Sequence, residues 1–310
     1  MTPALRVLAA GFLTTVQDLG RAGFGHLGVP RSGAADPFSA RLANRLAGNG
    51  DEAAVLELTL SGPRLEALED FSLALAGAEM VALRNGQPLA PERSHLIRRG
   101  EIIEFGSATS GLRTYIAFSG GIDVPEVLAS RSTLLSSGFG GLEGRPLRNG
   151  DVLSLAGAGR PARREASAEA IRPPEGPLRV LPGPQADSFS PAVLEKFYRT
   201  AFRVSSESNR AGLRLEGERV PLSGEAEIAP EGVVTGAIQV PKGGAPIILM
   251  PDGPVTGSYP KLGAVISADW RRLGQLRPGE SVKFERVAES DAANALREEE
   301  EKLDSVRETG

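Results

Sequence analysis

The stretch "TGSYPKLGAVISAD", residues 256–269, sets one lysine between a Gly/Pro loop and an apolar run. Pro260 holds Tyr259 extended, and residues 262–266 are apolar or lack a side chain, the pattern of a strand covered on both faces. Alternation along that strand puts Lys261 on the face of Gly263 and Val265, with Leu262 and Ile266 opposite. Since Gly263 carries no side chain, the spacing predicts open room beside the ammonium, between dry walls. A cation so placed suits an oxyanion or a polarised carbonyl. Asp252, at the other end of the same loop, is the expected counter-charge or proton acceptor. The bland alternative is a lysine that snorkels to solvent.

Three further stretches concentrate polar groups. "TVQDLGRAGFGHLGVPRSGAAD" holds Asp18, Arg21, Ser32 and Asp36 among glycines that let backbone N–H groups approach a ligand closely. The same composition also suits a surface loop, and Asp36 reads equally well as a helix N-cap. In "SSESNRAGLRLEG", Asn209 and Arg210 precede a glycine and a strand. A loop arginine grips a carboxylate or phosphate with two N–H groups, or is simply a surface charge. In "PEGVVTGAIQVPKGG" a strand is expected over residues 233–240, with Thr235 and Gln239 on one face. A buried amide there needs a partner, from the protein or from a ligand.

Several chemistries are excluded. The chain has no cysteine, which removes disulfides, thiolate catalysis and Cys-ligated zinc. Its only histidines are His26 and His95, too few for a His-rich metal site, and no metal is expected. There is no G-x-x-x-x-G-K-[ST] loop, no G-x-S-x-G elbow and no Met-Lys-Met tripeptide to carry covalent biotin. A net charge of −4 with interspersed signs gives no footprint for nucleic acid. No apolar run is long enough to cross a bilayer, and "MTPALR" does not open as a secretory signal, so a cytoplasmic location is expected.

The elements that must position these residues are mostly strands. The 38 glycines and 23 prolines punctuate short apolar segments throughout. Strands are expected at 5–10, 55–60, 71–76, 79–84, 113–118, 178–181, 233–240, 246–250 and 262–266. Asn85-Gly86 marks a tight turn. A small motif recurs as "RRGEIIEF", "RNGDVLSL" and "RPGESVKF", each a glycine turn feeding an alternating strand. Helices are few. "DPFSARLANRLAGN" has Asp36 as N-cap, Pro37 at the first position and Phe38, Leu42 and Leu46 as one apolar stripe. A second helix opens at Ser190-Pro191, burying Val193, Leu194, Phe197 and Tyr198. The acidic stretch 290–308 is expected to form a solvated helix. The polar, proline-flanked segment 158–177 marks the boundary between an N-terminal β domain (1–160) and a C-terminal one (178–288), with a linker at 161–177 and a helical tail at 289–310.

Five collinear stretches carry a resemblance: "TTVQDLGRAGFGHLGVPRSGAAD", "SGGIDVPEVLASRST", "SNRAGLRLEG", "GVVTGAIQVP" and "YPKLGAVISADWRRLGQLRPG". Over nearly all of residues 5–287 the sequence resembles the KipA family, the C subunits of 5-oxoprolinase. That family is similar to part of the carboxyltransferase domain of urea carboxylase and was long labelled as the second subunit of allophanate hydrolase. The resemblance implies a mainly β fold of two cyclophilin-like β-barrel domains with few short helices. It implies a KipI-like partner (the B subunit) that completes the site and a LamB/YcsF-like partner (the A subunit). Together such subunits open 5-oxo-L-proline to L-glutamate, using ATP that this chain has no Walker motif to hold. The alternatives it raises are a biotin-dependent carboxyltransferase subunit for urea or a related amide, and a non-catalytic module that antagonises a KipI-like kinase inhibitor. By the same resemblance Tyr259 and Lys261 lead the site, Asn209, Arg210 and Gln239 line it, and Asp18, Arg21, Ser32 and Asp36 match the N-terminal motif. The family's usual Gln-Thr-Thr-Gly-Gly before Tyr-Pro-Lys is here Pro254-Val255-Thr256-Gly257-Ser258, a departure that bears on substrate identity more than on fold.

Overall fold

A computed structural model describes residues 2–91, 93–157, 162–224 and 227–308, so positions 158–161 of the expected domain boundary lie outside the described residues. The chain divides into two compact units, one of residues 1–21, 32–173 and 300–310, the other of residues 22–31 and 174–299. Each is built around one curved sheet.

The first unit holds a ten-stranded sheet. Its spine is the pairing of two long strands, Phe71–Arg84 and Ile102–Phe118. The two strands expected at 71–76 and 79–84 are one element, bent rather than broken. The register slips between Gly77 and Glu79, where a Cβ on Gly77 would lie 2.4 Å from the Arg113 carbonyl oxygen. Period-two alternation divides these strands between two cores. Leu73, Leu75, Ile116 and Phe118 face inward with Leu5, Val7, Leu56 and Ile103, while Ala74, Ala76, Tyr115 and Ala117 face the helix Pro37–Leu46. The alanines leave the space that Phe38, Leu42 and Leu46 fill. Asp36 caps this helix as expected: its carboxylate accepts from the Ser39 amide (2.9 Å) and hydroxyl (2.6 Å). The cap is fixed from below by Tyr115, whose hydroxyl accepts from the Asp36 amide and donates to Glu57 (2.7 Å). Burial, with the Glu57 and Asp36 carboxylates, holds that phenol well above its ordinary pKa, so it stays a donor.

The second unit holds an eight-stranded sheet. The first and last strands in its order, Ser281–Val282 and Phe284–Arg286, are separated only by Lys283, so the sheet must curl into a nearly closed barrel. The helix Pro191–Arg199 covers one side, capped by Ser190, and stacks Phe197 on Phe284 with ring centroids 4.8 Å apart. Of its expected apolar face only Phe197 is fully buried.

The recurring motif is one structure used three times. At Arg98, Arg148 and Arg277 the arginine carbonyl accepts from the amide three residues on (3.0, 3.1 and 3.1 Å). The acid at that position reaches back to the arginine amide (2.7, 2.7 and 3.0 Å). Gly100, Gly150 and Gly279 take φ of +86°, +91° and +88°, which is why the third residue of each turn is glycine.

Two expectations fail here. Of the strand expected at 233–240 only Ala237–Gln239 forms, after a turn with Gly236 at φ +87°, so Thr235 and Gln239 do not share a strand face. The C-terminal helix Glu289–Asp304 is not merely solvated. Ala295 packs with Ile266 and Ala268, and Leu303 is fully buried in the first unit's outer core. Glu300 and Asp304 pair with Arg41 and Arg45, and Arg307–Glu308 pairs with Arg164–Glu165 inside the segment expected to be a linker.

Candidate functional site

Lys261 opens the strand Lys261–Val265, which runs between Ala237–Gln239 and Leu178–Pro182. Gln239 is its register partner, so both side chains leave the sheet on the same face. The expected room beside the ammonium does not exist. A Cβ on Gly263 would lie 2.4 Å from Val180 and 2.7 Å from the Leu181 carbonyl oxygen; the glycine is there for close strand packing. What meets the lysine instead is Glu231, on the short ribbon formed by Glu231–Gly232 and Thr256–Gly257. Gln185 ties the pair together: its amide nitrogen donates to Glu231 Oε1 (2.6 Å), and its oxygen accepts from the Lys261 backbone (3.2 Å). These hydrogen bonds, the Lys261 one first, hold the Glu231 carboxyl below its usual pKa. The pair is lopsided, with 8% of the lysine side chain exposed against 41% of the glutamate.

Gln239 completes this corner. It is 4% exposed, and among the described residues its Nε2 has no hydrogen-bond partner. A Cβ on Gly257 would lie 2.2 Å from that nitrogen, so a larger residue there would push the Gln239 side chain aside. A buried amide donor left without an acceptor costs on the order of 1–3 kcal/mol and calls for an explanation.

Asp252 does not serve Lys261. It forms a buried two-point ion pair with Arg210 (2.8 and 2.9 Å), and its amide donates to the Arg210 carbonyl oxygen (2.9 Å). The pair clips two loops together, and it commits Arg210 to an internal carboxylate instead of a ligand's. Asn209 is exposed and closes its own turn, accepting from the Ala211 amide (2.8 Å). Tyr259 is half-buried next to Pro260, two residues before the lysine in the chain.

The N-terminal motif residues lie in the first unit and are all buried. Asp18 accepts from the Gly20 amide (2.7 Å), the Ser130 hydroxyl (2.8 Å), the Arg131 amide (2.5 Å) and the Ser132 hydroxyl. Arg21 donates to the Ser132 carbonyl oxygen (2.5 Å) and lies over the Phe139 ring (4.9 Å). Ser32 donates to the Thr133 carbonyl oxygen (3.0 Å), and Asp36 is the helix cap described above. Their polar groups hold the 127–133 loop and the helix start in place. Sequence reasoning does not find Gln185 and Glu231. The one available signal is that a buried lysine requires a carboxylate, which spacing alone cannot choose.

Residues 27–286 match the family described as carboxyltransferase domain, subdomain A and B, and the chain belongs to that family. Within it, the chain belongs with the C subunits of 5-oxoprolinase. It is 36% identical to the 5-oxoprolinase C subunit of Escherichia coli K12 over 298 residues, 96% of this chain and 95% of that one. The Haemophilus influenzae protein of the same name is 34% identical, covering 94% of both chains. Among solved structures, Kluyveromyces lactis urea carboxylase superposes with a TM-score of 0.92 at 32% identity, across 98% of this chain but only 29% of that enzyme.

Proposed function

We propose that this chain is the C subunit of an ATP-dependent 5-oxoprolinase, which hydrolyses 5-oxo-L-proline to L-glutamate together with KipI-like and LamB/YcsF-like subunits. The observation that carries the reading is the 36% identity with the Escherichia coli 5-oxoprolinase C subunit over 298 residues. The site is consistent with a small anionic lactam: one nearly buried ammonium and one amide donor in need of an acceptor, on one face of the sheet. The cations of this corner do not suit a triphosphate, because Lys261 and Arg210 each already face a carboxylate. ATP is therefore assigned to the assembled complex, and this chain's contribution is to bind and orient the lactam while the partners complete the site.

Co-expressing the three subunits and following ADP release tests the reading. Turnover that depends on 5-oxoproline, needs every subunit and ignores avidin is the expected result. The close superposition on urea carboxylase supports a second reading, carboxyl transfer to urea or a related amide from biotin on another protein. Avidin-sensitive turnover with urea would select it.

A further inference from the structure

Lys261 is covered in the free chain, and what covers it is its counter-ion. Glu231 stands on a ribbon only two residues per strand, half in solvent, and can rehydrate at little cost if it swings away. Lys261 cannot follow it: the ammonium sits at the head of a packed strand, locked through its own backbone to Gln185. A nearly buried ammonium that loses its carboxylate must receive another anion, because a buried charge left unpaired is strongly destabilising. A neutral carbonyl does not meet that requirement. A donor without an acceptor lies on the neighbouring strand, since the Nε2 of Gln239, on the register partner of Lys261, is closed in under Gly257 and has no hydrogen-bond partner among the described residues.

We propose that the ribbon carrying Glu231 and Gly257 is a gate, and that a ligand carboxylate replaces Glu231, taking the Lys261 ammonium and the Gln239 amide together. The geometry accounts for three features with one event. Gln239 keeps an unused donor because its acceptor arrives with the ligand. A larger residue at Gly257 would displace that amide from its place under the closed ribbon. Glu231 is held by side-chain contacts that a competing carboxylate can match one for one. The lactam's own carboxylate is then the group Lys261 holds, which leaves the ring amide for groups brought by the partners. That last assignment rests on the function proposed above; the gate itself does not.

The test uses the full chain and the acylation rate of Lys261, read by mass spectrometry after a limiting pulse of acetic anhydride, with exposed Lys242 and Lys283 as internal references. Glu231→Gln should raise the rate of Lys261 at least tenfold relative to the reference lysines, and Glu231→Ala should do the same without leaving an amide behind. Thermal melts confirm that both variants fold. In Glu231→Gln, 5-oxoproline should protect Lys261, while pyrrolidin-2-one, the same lactam without its carboxylate, should not. An unchanged Lys261 rate in both variants overturns the gate, and equal protection by pyrrolidin-2-one overturns the carboxylate assignment. Protection by acetate but not by 5-oxoproline would keep the gate and overturn the substrate.

Discussion

At the scale of single residues, two of the second unit's ion pairs illustrate different uses of charge. Lys261–Glu231 is half-open and replaceable. Arg210–Asp252 is closed, with both side chains under a tenth exposed and two parallel hydrogen bonds. Removing one partner of such a pair leaves the other buried without compensation, so Asp252→Asn should destabilise the chain by about 3–5 kcal/mol. Urea unfolding checks this. A catalytic aspartate dispensable for folding would instead show a nearly unchanged midpoint and lost activity in the complex. The place of Lys261 at the start of a strand was legible from sequence, because a proline followed by an apolar run is a local signal. Its partner was not, because Glu231 and Gln185 reach it only through the fold, and Asp252 is near in sequence yet taken by Arg210. Room inferred from an absent side chain was also misleading, since Val180 from the next strand packs against Gly263.

At the scale of elements, the three repeated turns tie sequence to stability directly. In the 148–151 turn, Asp151 accepts from the Arg148 amide and forms a two-point pair with Arg145 (2.8 and 2.9 Å). Arg145, then the Arg148 amide, hold its carboxyl below the ordinary value of 3.8 against the opposing effect of burial. A lowered folded-state pKa means this stabilisation is complete above the unfolded value and is lost as pH falls below 3.8 through the folded value. Asp151→Asn should therefore lower the first unit's melting temperature at pH 7 and flatten its decline below about pH 4; equal acid limbs in both proteins would contradict it. Turns and capped helices were legible because their determinants lie within four residues. The shortening of the 233–240 strand was not: a run of apolar residues does not show that Gly236 must take positive φ where a Cβ would meet the Val265 carbonyl oxygen at 2.7 Å.

At the scale of the whole molecule, the mainly β architecture was legible from punctuation and alternation and its two barrel-like sheets from the family resemblance, while the path of the C-terminus was not. Its acidic composition reads as solvated, and only the structure shows Leu303 entering a core. Leu303→Ala should cost about 2–5 kcal/mol, as for other emptied leucine sites, where a solvated tail would give less than about 0.5; denaturant unfolding of the full chain decides. The central claim, that this chain supplies the substrate-holding lysine of a multi-subunit 5-oxoprolinase, is tested most directly by kcat/KM for 5-oxoproline in the reconstituted complex carrying Lys261→Met. Loss of the charge that holds the substrate carboxylate predicts a fall of about 10–100-fold, with the thermal melt of the isolated chain nearly unchanged because Glu231 can turn to water. Activity within threefold of the wild type would remove Lys261 from the site and contradict the account.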